Sequence, residues 1–284
     1  MKNVLITTDF NDLSLNACLK FCKFMFKDSD TNYSLLHVSE EIGFFGRLLG
    51  QQEVEEEVQR LHFAELKKNI KTLYGLDVTP YIRKGHIADE INKFIKEQSI
   101  DLLVVGTSNT GLNTIGANTH KLIRTTEIPI MTIAVTADPK PIKNILLPIE
   151  LNLSSRQKVP IAIQWAKNYN AQVTIIIGSW DGIEVEQRRR LEYTATATKD
   201  FIQSKGVRCE VVKMPTLTES KDFADEVIKY MNDEKNDVDL CIVMGRDITT
   251  DFAADPRAQD VVRFARVPVV CAPLKKKGVS VSFL

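Results

Sequence analysis

The 284-residue chain is written twice. With residue n laid on n+141, Val4-Leu5-Ile6-Thr7-Thr8-Asp9-Phe10-Asn11 falls on Ile145-Leu146-Leu147-Pro148-Ile149-Glu150-Leu151-Asn152, and Ser14 falls on Ser155. Each is an apolar run that ends in an acid, followed by Asn and Ser ahead of a helical pattern. Tyr33–Val38 pairs with Thr174–Ser179. The register then drifts, as loops of unequal length require. Ala88-Asp89-Glu90-Ile91 matches Ala224-Asp225-Glu226-Val227, Leu102–Gly106 matches Cys241–Gly245, and Ile128-Pro129-Ile130 matches Val267-Pro268-Val269. The step from Gly to Pro is 23 residues in both halves. Five anchors in one order mark a duplicated unit, so the fold must be one that roughly 140 residues can build.

Within each unit short apolar runs alternate with helical patterns. In the first half the runs are Asn3–Thr8, Asn32–Val38, Asp77–Lys84, Asp101–Gly106 and Pro129–Val135. They are continuous rather than alternating, the mark of parallel strands covered on both faces. Helical patterns fill the gaps: Leu13–Phe26 with Asn11, Asp12 and Ser14 as cap candidates, Gln52–Leu73, Ile87–Glu97 and Ala117–Arg124. The second half follows with strands near Lys143–Pro148, Gln172–Ser179, Arg208–Met214, Leu240–Gly245 and Pro268–Ala272, and a long helix over Glu184–Lys205. Pro160 is tolerable only in the first turn of its helix or as a kink. The pattern predicts an α/β fold: two tandem doubly wound domains, each a five-stranded parallel sheet with helices on both faces. The boundaries fall at 1–137 and 142–284, around the linker Thr136-Ala137-Asp138-Pro139-Lys140-Pro141.

Composition narrows the function classes. The chain has 37 basic and 37 acidic side chains, a formal charge of zero, which argues against a bulk nucleic-acid binder. No stretch approaches the ~20 apolar residues that span a bilayer, so no membrane partner is expected. MKNVLITTDFNDLS lacks the pattern of a signal peptide, and the chain reads as cytoplasmic. The five cysteines, Cys18, Cys22, Cys209, Cys241 and Cys271, have no framework spacing and read as buried free thiols rather than a metal pair.

In an open parallel sheet, ligands bind beyond the carboxyl ends of the strands, where strand order reverses. In the first half those ends carry Thr8-Asp9, His37-Val38 and Gly106-Thr107-Ser108-Asn109. After Gly106 the segment TSNTGLNTIGANTH leads into a helix start at Ala117–Thr119. Glycines let backbone approach a ligand, and a helix start offers free N–H groups to an anion. The pattern points to a phosphate cradle at Gly111, Gly116, Ala117, Asn118 and Thr119, with Asp9 accepting hydrogen bonds from a ribose or base. The same composition is also ordinary turn chemistry. Neither G-x-x-x-x-G-K-S/T nor a G-x-G-x-x-G after the first strand is present.

VLITTDFNDLS, DLLVVGTSN, the glycine-bearing loop and EIPIMTI together resemble the universal stress protein (UspA-like) family, over nearly the whole chain as two tandem copies. The resemblance implies the same five-stranded sheet, of adenine nucleotide alpha hydrolase-like form. For many members it also implies ATP bound through a strand-end Asp and a loop written G-x2-G-x9-G-S/T; others do not bind it. Carried onto this chain, it implies ATP or a related adenine nucleotide, with Mg, held in the first half by Thr8, Asp9, Val38, Gly106, Asn109, Gly111, Gly116, Ala117, Asn118 and Thr119. The loop departs from the pattern. Asn109 stands where the second Gly belongs, six residues rather than nine separate it from Gly116, and Ala117 replaces the Ser or Thr. Gly111 is left to serve as the second Gly, and Asn118 and Thr119 to replace the lost contacts.

The second half reads differently. After Gly245 no Gly occurs until Gly278, Asp247, Asp251 and Asp255 put carboxylates where phosphates would sit, and Glu150 replaces the Asp. Like charge disfavours an anion, so this copy is expected to have lost ATP binding. His37 is a further pocket candidate, and the apolar Phe44-Phe45 segment a candidate interface or lid. Subunits of the resembled family pair through the fifth strand, so the halves are expected to pack through Pro129–Val135 and Pro268–Ala272. Three functional readings follow: a regulatory module that binds an adenine nucleotide without turning it over, a scaffold recruiting a protein through Phe44-Phe45, and a weak ATPase or adenylyl transferase. The last lacks a Lys or Arg within Gly106–Thr119, though Lys121 and Arg124 follow.

Overall fold

The structure, a computed structural model, describes residues 2–26, 30–39, 51–107, 116–151, 153–219, 222–245 and 256–274. The first half runs β1 (Asn3–Thr7), α1 (Asp12–Met25), β2 (Asn32–Ser39), α2 (Gln51–Tyr74), β3 (Val78–Lys84), α3 (Ile87–Glu97), β4 (Leu102–Thr107), α4 (Ala117–Thr125), β5 (Ile130–Ala134). The second runs β6 (Asn144–Pro148), α5 (Val159–Tyr169), β7 (Gln172–Ile177), α6 (Val185–Ser204), β8 (Cys209–Lys213), α7 (Phe223–Asn232), β9 (Leu240–Met244), α8 (Pro256–Phe264), β10 (Val269–Ala272). Pro160 sits in the first turn of α5, the position its missing N–H allows.

All ten strands form one sheet in the order β3-β2-β1-β4-β5-β10-β9-β6-β7-β8. Within each half the pairs are parallel, and only the seam is antiparallel, with Thr132 opposite Val269 and Ile130 opposite Cys271. The expected fifth-strand pairing is therefore present. It covers the two inner edges and leaves β3 and β8 as the outer ones. Pro80, which cannot donate to a ladder, lies in the edge strand β3.

Side chains alternate between two cores, one on each face of the sheet. One gathers α1, α2, α5 and α6 around residues such as Leu15, Phe63, Val159 and Leu191. The other gathers α3, α4, α7 and α8 around Ile91, Leu122, Val227 and Val262. Each core contains residues of both halves, so the seam is buried from both sides. Tyr169 Oη also crosses it to donate to Met25 O at 3.0 Å.

The five thiols are all free and buried. Burial pushes the Cys18, Cys209 and Cys241 thiols up to about 12 and raises Cys22 and Cys271 as well. They stay protonated well above pH 8. The native protein should therefore not react with a thiol-specific disulfide reagent at pH 8, and all five should react after denaturation.

The strand registers correct the sequence alignment by one residue in two places. Val4 opposes Tyr33 while Ile145 opposes Val173, so Val38 corresponds to Gly178 rather than Ser179. Leu5 opposes Leu103 while Leu146 opposes Cys241, so Gly106 corresponds to Met244 and Thr107 to Gly245. A feature the alignment overlooked fixes this register. Asp101 Oδ2 accepts from the backbone N–H groups of Lys2 (2.7 Å) and Asn3 (3.0 Å). Asp239 Oδ2 accepts from those of Lys143 and Asn144, both at 2.8 Å. In each half this carboxylate clasps the start of the first strand to the start of the fourth. Asn3 and Asn144 also donate to the carbonyls of Ser99 and Asp237, two left-handed residues at matching places.

Candidate functional site

In the first half β1 leads to β2 on one side and β4 lies on the other, so strand order reverses between β1 and β4. A cavity of about 1000 Å³ opens there, at the large end of the range for small-molecule sites. Its floor is the ends of β1, β2 and β4, and its walls are α1, α3 and α4.

The turn after β1 is built so that Asp9 reaches the rim. Thr8 N donates to Leu36 O at 3.0 Å, extending the ladder by one residue. Thr8 Oγ1 then accepts from Phe10 N (2.9 Å), Asp9 Oδ1 from Asn11 N (2.9 Å), and Asn11 Oδ1 caps α1 through Leu13 N and Ser14 N. Phe10 takes φ 64°, a left-handed conformation that a bulky residue rarely adopts. The turn sends its ring to the other face of the sheet, against His37 (4.3 Å between centroids), His62 (4.5 Å) and Phe63 (5.1 Å). Asp9 is left exposed at the cavity mouth.

His37 thus belongs to that aromatic cluster, with Nδ1 hydrogen-bonded to Thr8 O at 2.9 Å, and does not line the cavity. His86 precedes α3 and does not line it either.

Of the ten site residues drawn from the sequence, Thr8, Asp9, Val38, Gly106, Gly116, Ala117, Asn118 and Thr119 line this one cavity. Asn109 and Gly111 lie outside the described residues, as do Phe44, Phe45, Asp247 and Asp251. The two described glycines serve different ends. A Cβ at Gly106 would stand 2.6 Å from Ser14 O, so this glycine lets the first turn of α1 press on β4. A Cβ at Gly116 would meet nothing within 4 Å. Gly116 precedes α4 without a side-chain cap, so among the described residues the first N–H groups of the helix have no capping side chain.

The sequence reading omitted Thr107 from the site. Its hydroxyl lines the cavity, is buried, and among the described residues has no hydrogen-bond partner. A buried hydroxyl left unpaired costs about 1–3 kcal/mol, which a ligand atom would relieve. The sequence reading also missed that the second half closes the cavity. Asp225, Ile228 and Asn232 of α7 and Arg263, Phe264 and Arg266 at the end of α8 form its far wall. Nothing in their sequence marks them; the antiparallel seam brings them there. Lys121, which follows the Gly106–Thr119 segment, is engaged by Asp89 of α3 at 3.0 Å. Among the described residues no cluster of His, Cys, Asp and Glu could hold a metal ion, and no helix is long and apolar enough to cross a membrane.

Residues 1–134 match the family model for the universal stress protein family. The first half of the chain is thus similar to the universal stress protein family. Universal stress protein MJ0531 of Methanocaldococcus jannaschii is 27% identical over 139 residues, which cover 46% of this chain and 81% of that protein. Universal stress protein G of Escherichia coli O157:H7 is 29% identical over 87 residues, 29% of this chain and 56% of that protein. Over the full length, the crystal structure of a universal stress protein from Archaeoglobus fulgidus DSM 4304 superposes with a TM-score of 0.73 at 13% identity, covering 96% of this chain and 98% of that one. That likeness speaks to the fold: the duplicated architecture extends over nearly the whole chain.

Proposed function

We propose that the first half binds one adenine nucleotide, ATP with Mg, and that the protein is a binding or regulatory module without turnover. The observation that carries this reading is the meeting of three features in one cavity at the switch point. These are the rim carboxylate of Asp9, the uncapped start of α4 behind the open face of Gly116, and the unpartnered buried hydroxyl of Thr107. A carboxylate suits the hydroxyls of a ribose or the amine of a base; a helix start and a hydroxyl suit phosphate oxygens.

The second half supports a single site. Gly178, the counterpart of Val38, has the ring of Phe223 packed on it, so close that a Cβ there would stand 2.6 Å from Phe223 Cδ2. Phe223 in turn corresponds to Ile87, which lines the first cavity. Its ring fills the place that the Val38 side chain takes in the first half. Met244 stands where Gly106 does, and after β6 the chain forms a 3₁₀ helix over Leu153–Lys158 instead of entering an α-helix directly.

Titration of the full chain with ATP-Mg by calorimetry tests the proposal. Binding should appear, and Asp9→Ala, at an exposed position, should weaken it about tenfold while costing no more than about 1 kcal/mol of stability through the lost bond from Asn11 N. No heat with the wild-type chain, or equal binding by the variant, would refute the assignment.

A further inference from the structure

We infer that the cationic contact for the nucleotide's phosphates comes from the other half of the chain, from Arg266. This rests on the proposed nucleotide site and adds what neutralises its ligand.

A polyphosphate brings several negative charges into a cavity whose lining already includes Asp9 and Asp225. The Gly106–Thr119 segment has no Lys or Arg to offset them. Among the described residues the cations in the lining are Arg263 and Arg266, both from beyond the seam. Arg263 is engaged: it lies 3.4 Å from Asp260 and over the ring of Phe264 at 4.3 Å. Arg266 is exposed, and among the described residues its guanidinium has no ion pair. Its backbone is nevertheless held, since Arg266 N donates to Asn232 Oδ1 at 3.0 Å and Asn232 Nδ2 donates to Phe264 O at 2.8 Å. A fixed backbone carrying a solvated guanidinium beside the cavity suits capture of a phosphate, which Arg can bind in bidentate fashion.

The pseudo-twofold between the halves sharpens the assignment. α4 and α8 are each nine residues long, and Ile128 corresponds to Val267, so Arg266 corresponds to Glu127. By the same symmetry the first half offers the second a carboxylate, paired with Lys96 at 3.8 Å, where the second offers the first a guanidinium. The exchange favours an anion in one pocket only.

The test is calorimetric titration of the full-length wild type, Arg266→Gln and Arg266→Lys with ATP-Mg and, separately, with adenosine. Arg266→Gln should weaken ATP about tenfold and leave adenosine unchanged, and Arg266→Lys should recover part of the loss. If Arg266→Gln binds ATP within about twofold of wild type, the inference fails while the nucleotide site stands. If ATP and adenosine weaken equally, Arg266 acts on the structure of the wall and the inference also fails. If the wild type binds neither, both readings fall.

Discussion

Asp239→Ala should lower the unfolding free energy by about 3 kcal/mol. The side chain is 3% exposed and makes three polar contacts at once: two backbone N–H groups, of Lys143 and Asn144, and the ammonium of Lys140 at 2.7 Å. Removing it strands two part-buried N–H groups, at about 1–3 kcal/mol each before relaxation. Its counterpart Asp101 makes the same two backbone contacts from an exposed position. Water can replace it, so Asp101→Ala should cost only about 1 kcal/mol. Urea denaturation of both variants checks the pair. Equal losses would show that burial is not what separates the two clasps.

The second large effect separates stability from binding at two glycines of one segment. Gly106→Val forces a side chain against Ser14 O, where even a Cβ stands at 2.6 Å. The first turn of α1 must move, at about 1–3 kcal/mol, and it carries Asn11 and Ser14 out of the cavity wall. Gly116→Asp should behave in the opposite way. Its backbone angles are open to any residue, a Cβ meets nothing, and Asp is a preferred cap with a charge that suits a helix start. Stability should hold or rise slightly. The new carboxylate, however, takes the N–H groups proposed for phosphate and repels it, so ATP affinity should fall at least about a hundredfold. Thermal melts alongside ATP titration read both effects. A Gly116→Asp protein that melts normally and binds ATP as the wild type does would place the phosphates elsewhere.

Much of the architecture is legible in the sequence because its signals are local. Continuous apolar runs such as Leu102–Val105 announce buried parallel strands, and observed strand limits fall within one or two residues of those read from pattern. The duplication is legible for the same reason. The register is harder, because a one-residue slip moves a strand's side chains to the other face while leaving an apolar run looking the same. Aligning Gly106 with Gly245 made such a slip; the paired clasps of Asp101 and Asp239 correct it. The first-half wall of the site is also local, as strand ends and a helix start lie close to their motifs. Thr107 is hard to read because its significance is an unpaired hydroxyl, a property of its surroundings. Asn232 and Arg266 reach the cavity only through the pairing of β5 with β10, so no pattern near them could mark them.

The central claim is one nucleotide site in a chain with two copies of the fold. Saturating calorimetric titration with ATP-Mg, on protein first freed of any carried nucleotide, measures it directly. A stoichiometry of one per chain, abolished by Gly116→Asp, is the predicted result. Two sites per chain would show that Met244 leaves the second pocket open, and none would remove the nucleotide from the account.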